Sequence, residues 1–269
     1  LRKFADTFAA HGFCETAFVP SYGLAEATVA VSFSPLHKGF QVDVINSDIM
    51  RSQQQAVPAN DLTEERNRRA LIACGQAIPG HEMKICDDDG NELDERVVGR
   101  IMFRGDSVSP GILDRHVGIK PLTDQDGWLD TGDLGYWLNG QLIITGRHKD
   151  LILWNGRNIW PQDIEWTAEK AGGRHIPKSS AFKLSDDDGN GHMYLVAECK
   201  AREPEHREAL LSEVTANVRQ TVGAPIEVIL VPTRSLIMTS SGKLSRMRTR
   251  QKFISGAFEV QSAIPVLAE

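Results

Sequence analysis

The apolar residues of this chain change rhythm near Gly146, and that change limits what it can fold into. Between Gly80 and Ile144 the period is two. His81 to Cys86 alternates before a turn at Asp87 to Gly90, and strands are expected at Gly99 to Arg104 and Gln141 to Ile144. Asn139-Gly140, set between Tyr136-Trp137 and Leu142-Ile143, is a two-residue hairpin signal, because both positions accept a positive φ. After Gly146 helical and extended segments alternate. Helices are expected at Pro161 to Ala171 and Glu205 to Val222, and strands at Ala181 to Leu184, Met193 to Lys200 and Glu227 to Val231. In the second helix Leu211, Val214, Val218 and Val222 share one face, leaving Arg207, Glu208, Arg219 and Gln220 for water. The pattern predicts a β subdomain ending near Gly146, followed by a small separate α+β domain.

The chain opens on helical spacing at Leu1, Phe4, Phe8 and Ala9, stopped by Gly12, with an extended run expected at Thr16 to Val19. It has no initiator methionine and starts in mid-pattern, so we expect it to be part of a larger protein. Ser47 to Arg69 is polar and irregular and reads as a surface excursion, helical in its last part. With 36 acidic residues against 30 basic ones, a net charge of −6 and no basic block, the composition argues against a nucleic-acid partner. No apolar run approaches the roughly 20 residues of a transmembrane helix, and the first residues do not form a signal peptide. The 4 cysteines are scattered without a CxxC pair, which fits neither a zinc site nor a disulfide framework and leads us to expect a cytoplasmic location. Asp186 to Asp188 before Gly189 lack the closing glutamate of a calcium loop and are expected to form a hairpin turn.

Three short motifs each carry two readings. Tyr22-Gly23-Leu24-Ala25-Glu26 is either a strand-to-helix turn, or an aromatic face for a base beside a carboxylate for a divalent metal. Asp130-Thr131-Gly132-Asp133-Leu134 is either an ordinary polar turn or a rigidly held carboxylate able to accept two ribose hydroxyls. Ser240-Ser241-Gly242-Lys243-Leu244 is either part of a solvated basic loop with Arg246, Arg248, Arg250 and Lys252, or a mobile ammonium suited to a phosphate. It is not a P-loop, since Ile237 stands where the first glycine is required. The histidines show no ligand spacing and receive no role.

Taken in order with Gly146 to Glu165 (GRHKDLILWNGRNIWPQDIE), these motifs resemble those of the adenylate-forming superfamily: acyl-CoA synthetases, fatty acyl-AMP ligases, luciferases and peptide-synthetase adenylation domains. The text YGLAEATVAVSF, the long gap before CGQAIPG, and the Gly146 to Glu165 stretch resemble fatty acyl-AMP ligases more than CoA-forming enzymes. The resemblance implies α/β and α+β folds: the C-terminal part of a large AMP-binding domain with its β-barrel-like subdomain (1–146), then a small mobile α+β domain (147–269). An insertion is expected at about 40–72. It implies that Tyr22 and Gly23 lie against adenine, that Glu26 helps to hold Mg2+, and that Asp133 and Arg147 bind the ribose. Lys149 would be the hinge and Lys243 the lysine needed to form the adenylate. Ala25 departs from the family's frequent threonine, Arg100 from its glutamate and Ile112 from its tyrosine.

The implied reaction is ATP-dependent activation of a fatty acid to an acyl-adenylate. The acyl group then passes to a phosphopantetheine thiol of an acyl carrier protein or polyketide synthase, or to CoA in the alternative branch. The family's serine-, threonine- and glycine-rich phosphate loop is missing, as is most of the acyl pocket, so the N-terminal part of the large domain is expected elsewhere and the chain alone to be inactive. A non-catalytic fragment that docks a carrier protein is the competing reading.

Overall fold

The computed structural model describes residues 1–114, 116, 118–185 and 191–264. They gather into two units, Leu1–Lys149 and Asp150–Glu269. The first unit opens with α1 (Arg2–Phe8) and a 3-10 turn that Gly12 ends at φ 84°. The first half of the extended run expected at Thr16 to Val19 is instead part of a 3-10 turn, Glu15–Ala17, in which Ala17 N–H bonds to the Cys14 carbonyl; Phe18 after it is extended. Two short strands, β1 (Ser21–Tyr22) and β2 (Ser32–Phe33), pair antiparallel.

The polar stretch after them is a folded element rather than a loose excursion. Strand β3 (Val42–Asn46) runs into helix α2 (Ser47–Gln53), and β4 (Arg68–Ile72) pairs back on β3. Helix therefore stands at the start of the segment, with only a 3-10 turn, Glu65–Asn67, at its end. Asn46 explains the start: its side chain accepts the Asp48 and Ile49 amides as an N-cap. Ile45, Met50 and Ala56 are fully buried, isolated apolar residues that a polar composition conceals.

Next come β5 (Gln76–Ala77), which returns to β2, then β6 (His81–Cys86), β7 (Gly99–Gly105) and a hairpin of β8 (Gly111–Asp114) and β9 (Gly118–Pro121). The long strands β10 (Leu129–Leu138) and β11 (Gln141–Arg147) complete an antiparallel sheet in the order β11-β10-β7-β6. Asn139 and Gly140 turn between them at φ 49° and 71°, and Leu138 faces Gln141, the expected two-residue hairpin. Ile85, Ile101, Phe103 and Leu142 fill the core of this sheet with Tyr22 among them.

The second unit begins with a hairpin of β12 (Ile152–Trp154) and β13 (Arg157–Ile159), followed by α3 (Pro161–Gly172). Strands β14 (Ser179–Ser185), β15 (Gly191–Cys199), β16 (Ile226–Pro232) and β17 (Ser262–Ile264) form one sheet in that order, with α4 (Pro204–Val222) crossing between β15 and β16 and α5 (Arg246–Ile254) preceding β17. Because α4 crosses over, β15 and β16 are parallel, while the outer pairs are antiparallel. The turn expected at Asp186 to Gly189 lies outside the described residues. The anticipated stripe of α4, Leu211, Val214, Val218 and Val222, is buried with Leu195 and Ala197 of β15. Val196 points to the other face and joins Phe182 and Ile229, against which Phe253 of α5 packs. The sheet thus has apolar residues on both faces and needs a helix over each. No helix among the described residues is long and apolar enough to cross a membrane.

Leu195 is fully buried on a central strand. Leu195→Ala should lower the unfolding free energy by about 2–5 kcal/mol in urea denaturation, a loss set by the lost transfer energy plus the cavity.

Candidate functional site

Asp130 to Leu134 does not form the turn expected from its sequence; it lies within β10 and interrupts it. On the β7 side the register runs Leu129 to Phe103 and Asp130 to Met102, then jumps so that Leu134 meets Arg100. Thr131, Gly132 and Asp133 thus stand against Ile101 as a bulge. Each residue type has a reason to be there. The Thr131 hydroxyl donates to the Ile101 carbonyl at 2.8 Å in place of a ladder bond, and Gly132 takes φ 72°. The Asp133 amide donates to Thr131 Oγ1 at 3.2 Å, which fixes the aspartate's backbone.

A second bulge lies on the β11 side, between Leu134 and Gly135. The ladder pairs Gly135 with Ile144 but Leu134 with Gly146, leaving Thr145 as the extra residue. Its hydroxyl donates to the Leu134 carbonyl at 3.2 Å and its own carbonyl accepts Arg69 Nη2 at 2.7 Å. One residue of shift changes which side chain faces Asp133: were Thr145 paired in a regular ladder it would be Gly146, and with Thr145 bulged out Asp133 pairs with Arg147. The Arg147 Nε lies 3.4 Å from Asp133 Oδ1.

From the opposite direction Tyr22 donates its phenol to Asp133 Oδ2 at 2.5 Å. Burial first, then the Asp133 charge, pushes the Tyr22 pKa far up, so the phenol remains a donor. The structure therefore brings together Tyr22, Asp133 and Arg147, three of the residues singled out from sequence. Tyr22 is only 9% exposed, so its fixed service is to hold Asp133. The next residue must be glycine: a Cβ on Gly23 would fall 1.5 Å from the Val29 carbonyl oxygen. That close return holds Thr28 and Val29 at φ 55° and 91°, an uncommon conformation for β-branched residues that marks a strained segment.

Glu26 rides on the 3-10 turn Ala25–Ala27 of this segment, half-buried, and its backbone carbonyl accepts the Ser109 amide at 2.8 Å. No group of three or more potential metal ligands occurs among the described residues. A single carboxylate suits Mg2+, which keeps several waters and takes much of its coordination from substrate phosphates. Arg100, one of the departures from the family pattern, pairs with Asp130 at the start of the bulge. Lys149 is exposed in a 3-10 turn, His148–Asp150, directly after β11.

Lys243 belongs to the second unit. Met238 and Leu244 bridge, and between them the Thr239 amide donates to the Lys243 carbonyl at 2.7 Å while the Lys243 amide donates to Thr239 Oγ1 at 3.0 Å. Gly242 sits at φ 78°, so this is a closed turn that holds an exposed lysine at its end. Beyond it the expected basic loop is the helix α5, and its first residue, Arg246, is no solvated cation. Its Nε and Nη2 reach the two Glu165 oxygens at 2.7 and 2.6 Å, and Nη1 reaches Asp150 Oδ2 at 2.9 Å. Glu165, 7% exposed on its side chain, also accepts the Ala181 amide at 3.0 Å. Burial raises the Glu165 pKa against the pull of Arg246; burial also opposes the Arg246 cation, but Glu165 and Asp150 outweigh it and push its pKa up.

Sequence reasoning missed Arg246, having merged it with its basic neighbours. The signal available was Glu165: it follows Ile164 on the face that Ala168 continues, and an acid on a buried face requires a cation.

The AMP-binding enzyme family model matches residues 2–113. The chain is 38% identical over 259 residues to a Caulobacter vibrioides protein named "Putative acyl-CoA synthetase", covering 96% of this chain and 45% of that one. It is 30% identical to the medium-chain-fatty-acid–[acyl-carrier-protein] ligase JamA of Moorena producens, again over 96% of this chain and 45% of that one. A solved structure from a study of fatty acyl-adenylate ligases of E. coli and L. pneumophila superposes with a TM-score of 0.83 at 36% identity, over 95% of this chain and 45% of that one. Residues 2–113 thus match the AMP-binding enzyme family, and the chain is similar over nearly its whole length to parts of fatty acyl-AMP ligases and acyl-CoA synthetases. It spans about 45% of the length of the curated relatives it matches.

Removing Arg246 alone, as Arg246→Met, leaves the buried Glu165 without its cation and should cost about 3–5 kcal/mol of stability. Combining it with Glu165→Gln should recover a large part of that loss. Equal and additive losses in the two single variants and the double variant, measured by urea denaturation, would show that the pair does not act as a unit.

Proposed function

We propose that the enzyme carrying this chain activates a fatty acid with ATP and hands the acyl group to the phosphopantetheine thiol of an acyl carrier protein. The observation that carries this reading is the fixed carboxylate of Asp133, braced by Tyr22 and faced by Arg147. A carboxylate held on a double bulge, with one oxygen on a phenol and the other beside a guanidinium, would accept hydrogen bonds from two adjacent ribose hydroxyls. Tyr22 would offer adenine an edge of its ring and Gly23 the close approach of a bare backbone. Glu26 would be the protein's ligand to Mg2+.

In the first step an oxygen of the fatty-acid carboxylate attacks the α-phosphorus of ATP, the bond to the bridging oxygen breaks, and pyrophosphate leaves. Two anions approach each other, so the charge must be compensated in a site with little water. The Lys243 ammonium on its closed turn would supply that compensation, with Mg2+ when bound. Lys149, the exposed residue at the junction of the two units, is where a hinge would absorb its change in φ and ψ. The thiol of the carrier then attacks the acyl carbon and AMP leaves. The names of the relatives support both acceptors: JamA is named a carrier-protein ligase, and the Caulobacter protein an acyl-CoA synthetase. The sequence text nearer to fatty acyl-AMP ligases favours the carrier. The 269 residues contain no serine-, threonine- and glycine-rich phosphate loop, so the chain by itself is expected to give no turnover.

Fatty-acid-dependent exchange of labelled pyrophosphate into ATP by the whole enzyme is the test. Lys243→Ala should reduce exchange by about 10²-fold or more, the usual effect of removing one preorganised group at a developing charge. Full exchange in that variant would remove the lysine from the mechanism. Product analysis with carrier protein or with CoA as acceptor then separates the two branches.

A further inference from the structure

The β15-α4-β16 crossover creates a feature that the adenylation reading does not use. Where β15 and β16 end, at Cys199 and Pro232, the chain leaves an open cleft of about 530 Å³ lined also by Lys200, Arg202, Arg207, Thr233 and Gln261. Three cationic side chains line it and no carboxylate does. The carboxyl ends of parallel strands, beside the start of the crossover helix, are where open α/β sheets place ligands. Here α4 supplies 19 residues of helix, and no side chain caps its first turn, whose N1 position is Pro204.

Two residues that line the cleft each carry a buried polar atom with no partner among the described residues, Arg207 Nε and Gln261 Oε1. The guanidinium is not loose: Arg207 Nη1 donates to the Arg202 carbonyl at 2.6 Å, which fixes its plane with Nε idle. The backbone of Gln261 is likewise fixed, its amide donating to the Leu230 carbonyl at 2.8 Å. A buried unmade hydrogen bond costs roughly 1–3 kcal/mol, so a ligand that opened a path to either atom would gain by pairing with it. The two demands differ in kind. Arg207 Nε needs an acceptor, and with Lys200 and Arg202 that acceptor should be an anion. Gln261 Oε1 needs a donor. Hydrogen phosphate and phosphate monoesters beside a hydroxyl satisfy both, while sulfate offers acceptors only. The nearby acids of the helix start, Glu203 and Glu205, are exposed and do not line the cleft.

We propose that this cleft is a binding site for a small phosphate, separate from the residues assigned to adenylation. The source is either free phosphate or the phosphate of an organic monoester, and the same titration distinguishes them. The 15N-labelled 269-residue chain is titrated at constant ionic strength with inorganic phosphate, ribose 5-phosphate, sulfate and chloride, following the amides of Glu205, His206 and Gln261. Saturable shifts with phosphate at roughly millimolar affinity, and weaker shifts with sulfate, are expected. Tighter binding of ribose 5-phosphate would assign the site to an organic monoester, and equal or weaker binding to free phosphate. Arg207→Gln should weaken binding roughly tenfold, the worth of one charge-assisted hydrogen bond. Because Arg207 also braces the Arg202 carbonyl, the exposed pair Lys200→Gln with Arg202→Gln serves as a second variant with the same expected loss. Shifts that do not saturate, that chloride reproduces, or that survive in the folded variants at unchanged affinity overturn the proposal.

Discussion

Arg246 is the interaction on which the second unit's useful geometry depends. Its guanidinium takes both oxygens of Glu165 on α3 and one of Asp150, and these two acids come from the ends of one continuous sequence stretch. Arg246 follows the lysine turn by three residues, and Asp150 follows Lys149 directly. One planar cation therefore ties the beginning of the unit, its first long helix and the base of the Lys243 turn into one body. Lysine could not replace it, since a point charge cannot meet three oxygens in two directions with fixed geometry. Burying such a cluster is costly, several kcal/mol per ion, and replacing it with apolar residues could leave stability unchanged. What apolar packing would not supply is direction. A bidentate pair fixes the start of α5, and with it the end of the Lys243 turn, in position and angle.

The first unit solves a matching problem with backbone rather than charge. Asp133 must be turned out of a sheet without leaving it, and two bulges accomplish this, one on each side of the same strand. Thr131 and Thr145 each use a hydroxyl to satisfy a carbonyl that the interrupted ladder would orphan. The register shift at Thr145 brings Arg147 opposite Asp133, and the tight Asn139-Gly140 turn keeps that register from slipping. Three local choices thus specify a contact between residues that the sequence separates, before Tyr22 arrives from a different sheet to complete it.

This difference explains what could be read in the sequence. Several segments were legible: α4, β6, β7 and the Asn139-Gly140 hairpin lie where expected, α4 and β7 through burial of one face and the hairpin through residues that accept a positive φ. Asp130 to Leu134 read as a turn because Asp, Thr and Gly are turn formers, and nothing local reveals that flanking strands will pull them into a ladder. The segment around α2 read as irregular because only Ile45, Met50 and Ala56 carry its burial, too few for a period. Of the site, Tyr22, Asp133 and Arg147 came from motif order rather than from physics, and only the structure explains why they meet. Arg246 was hidden among Arg248, Arg250 and Lys252, since a sequence shows charge but not which charge is desolvated.

Both units hold the residues proposed for the chemistry on short, bounded turns, not on long loops. Lys243 sits at the end of a closed turn with its carbonyl bonded to the Thr239 amide and its amide to the Thr239 hydroxyl, Glu26 on a 3-10 turn held through Ser109, and Asp133 between two bulges. Strain beside these groups is visible at Thr28 and Val29, where the chain doubles back over Gly23 and no Cβ could fit. A chain arranged this way keeps each charged group in place at the cost of local backbone energy, and the well-packed sheets beneath absorb that cost. The exposed turn at Lys149 is where the covalent chain passes from one packed unit to the next.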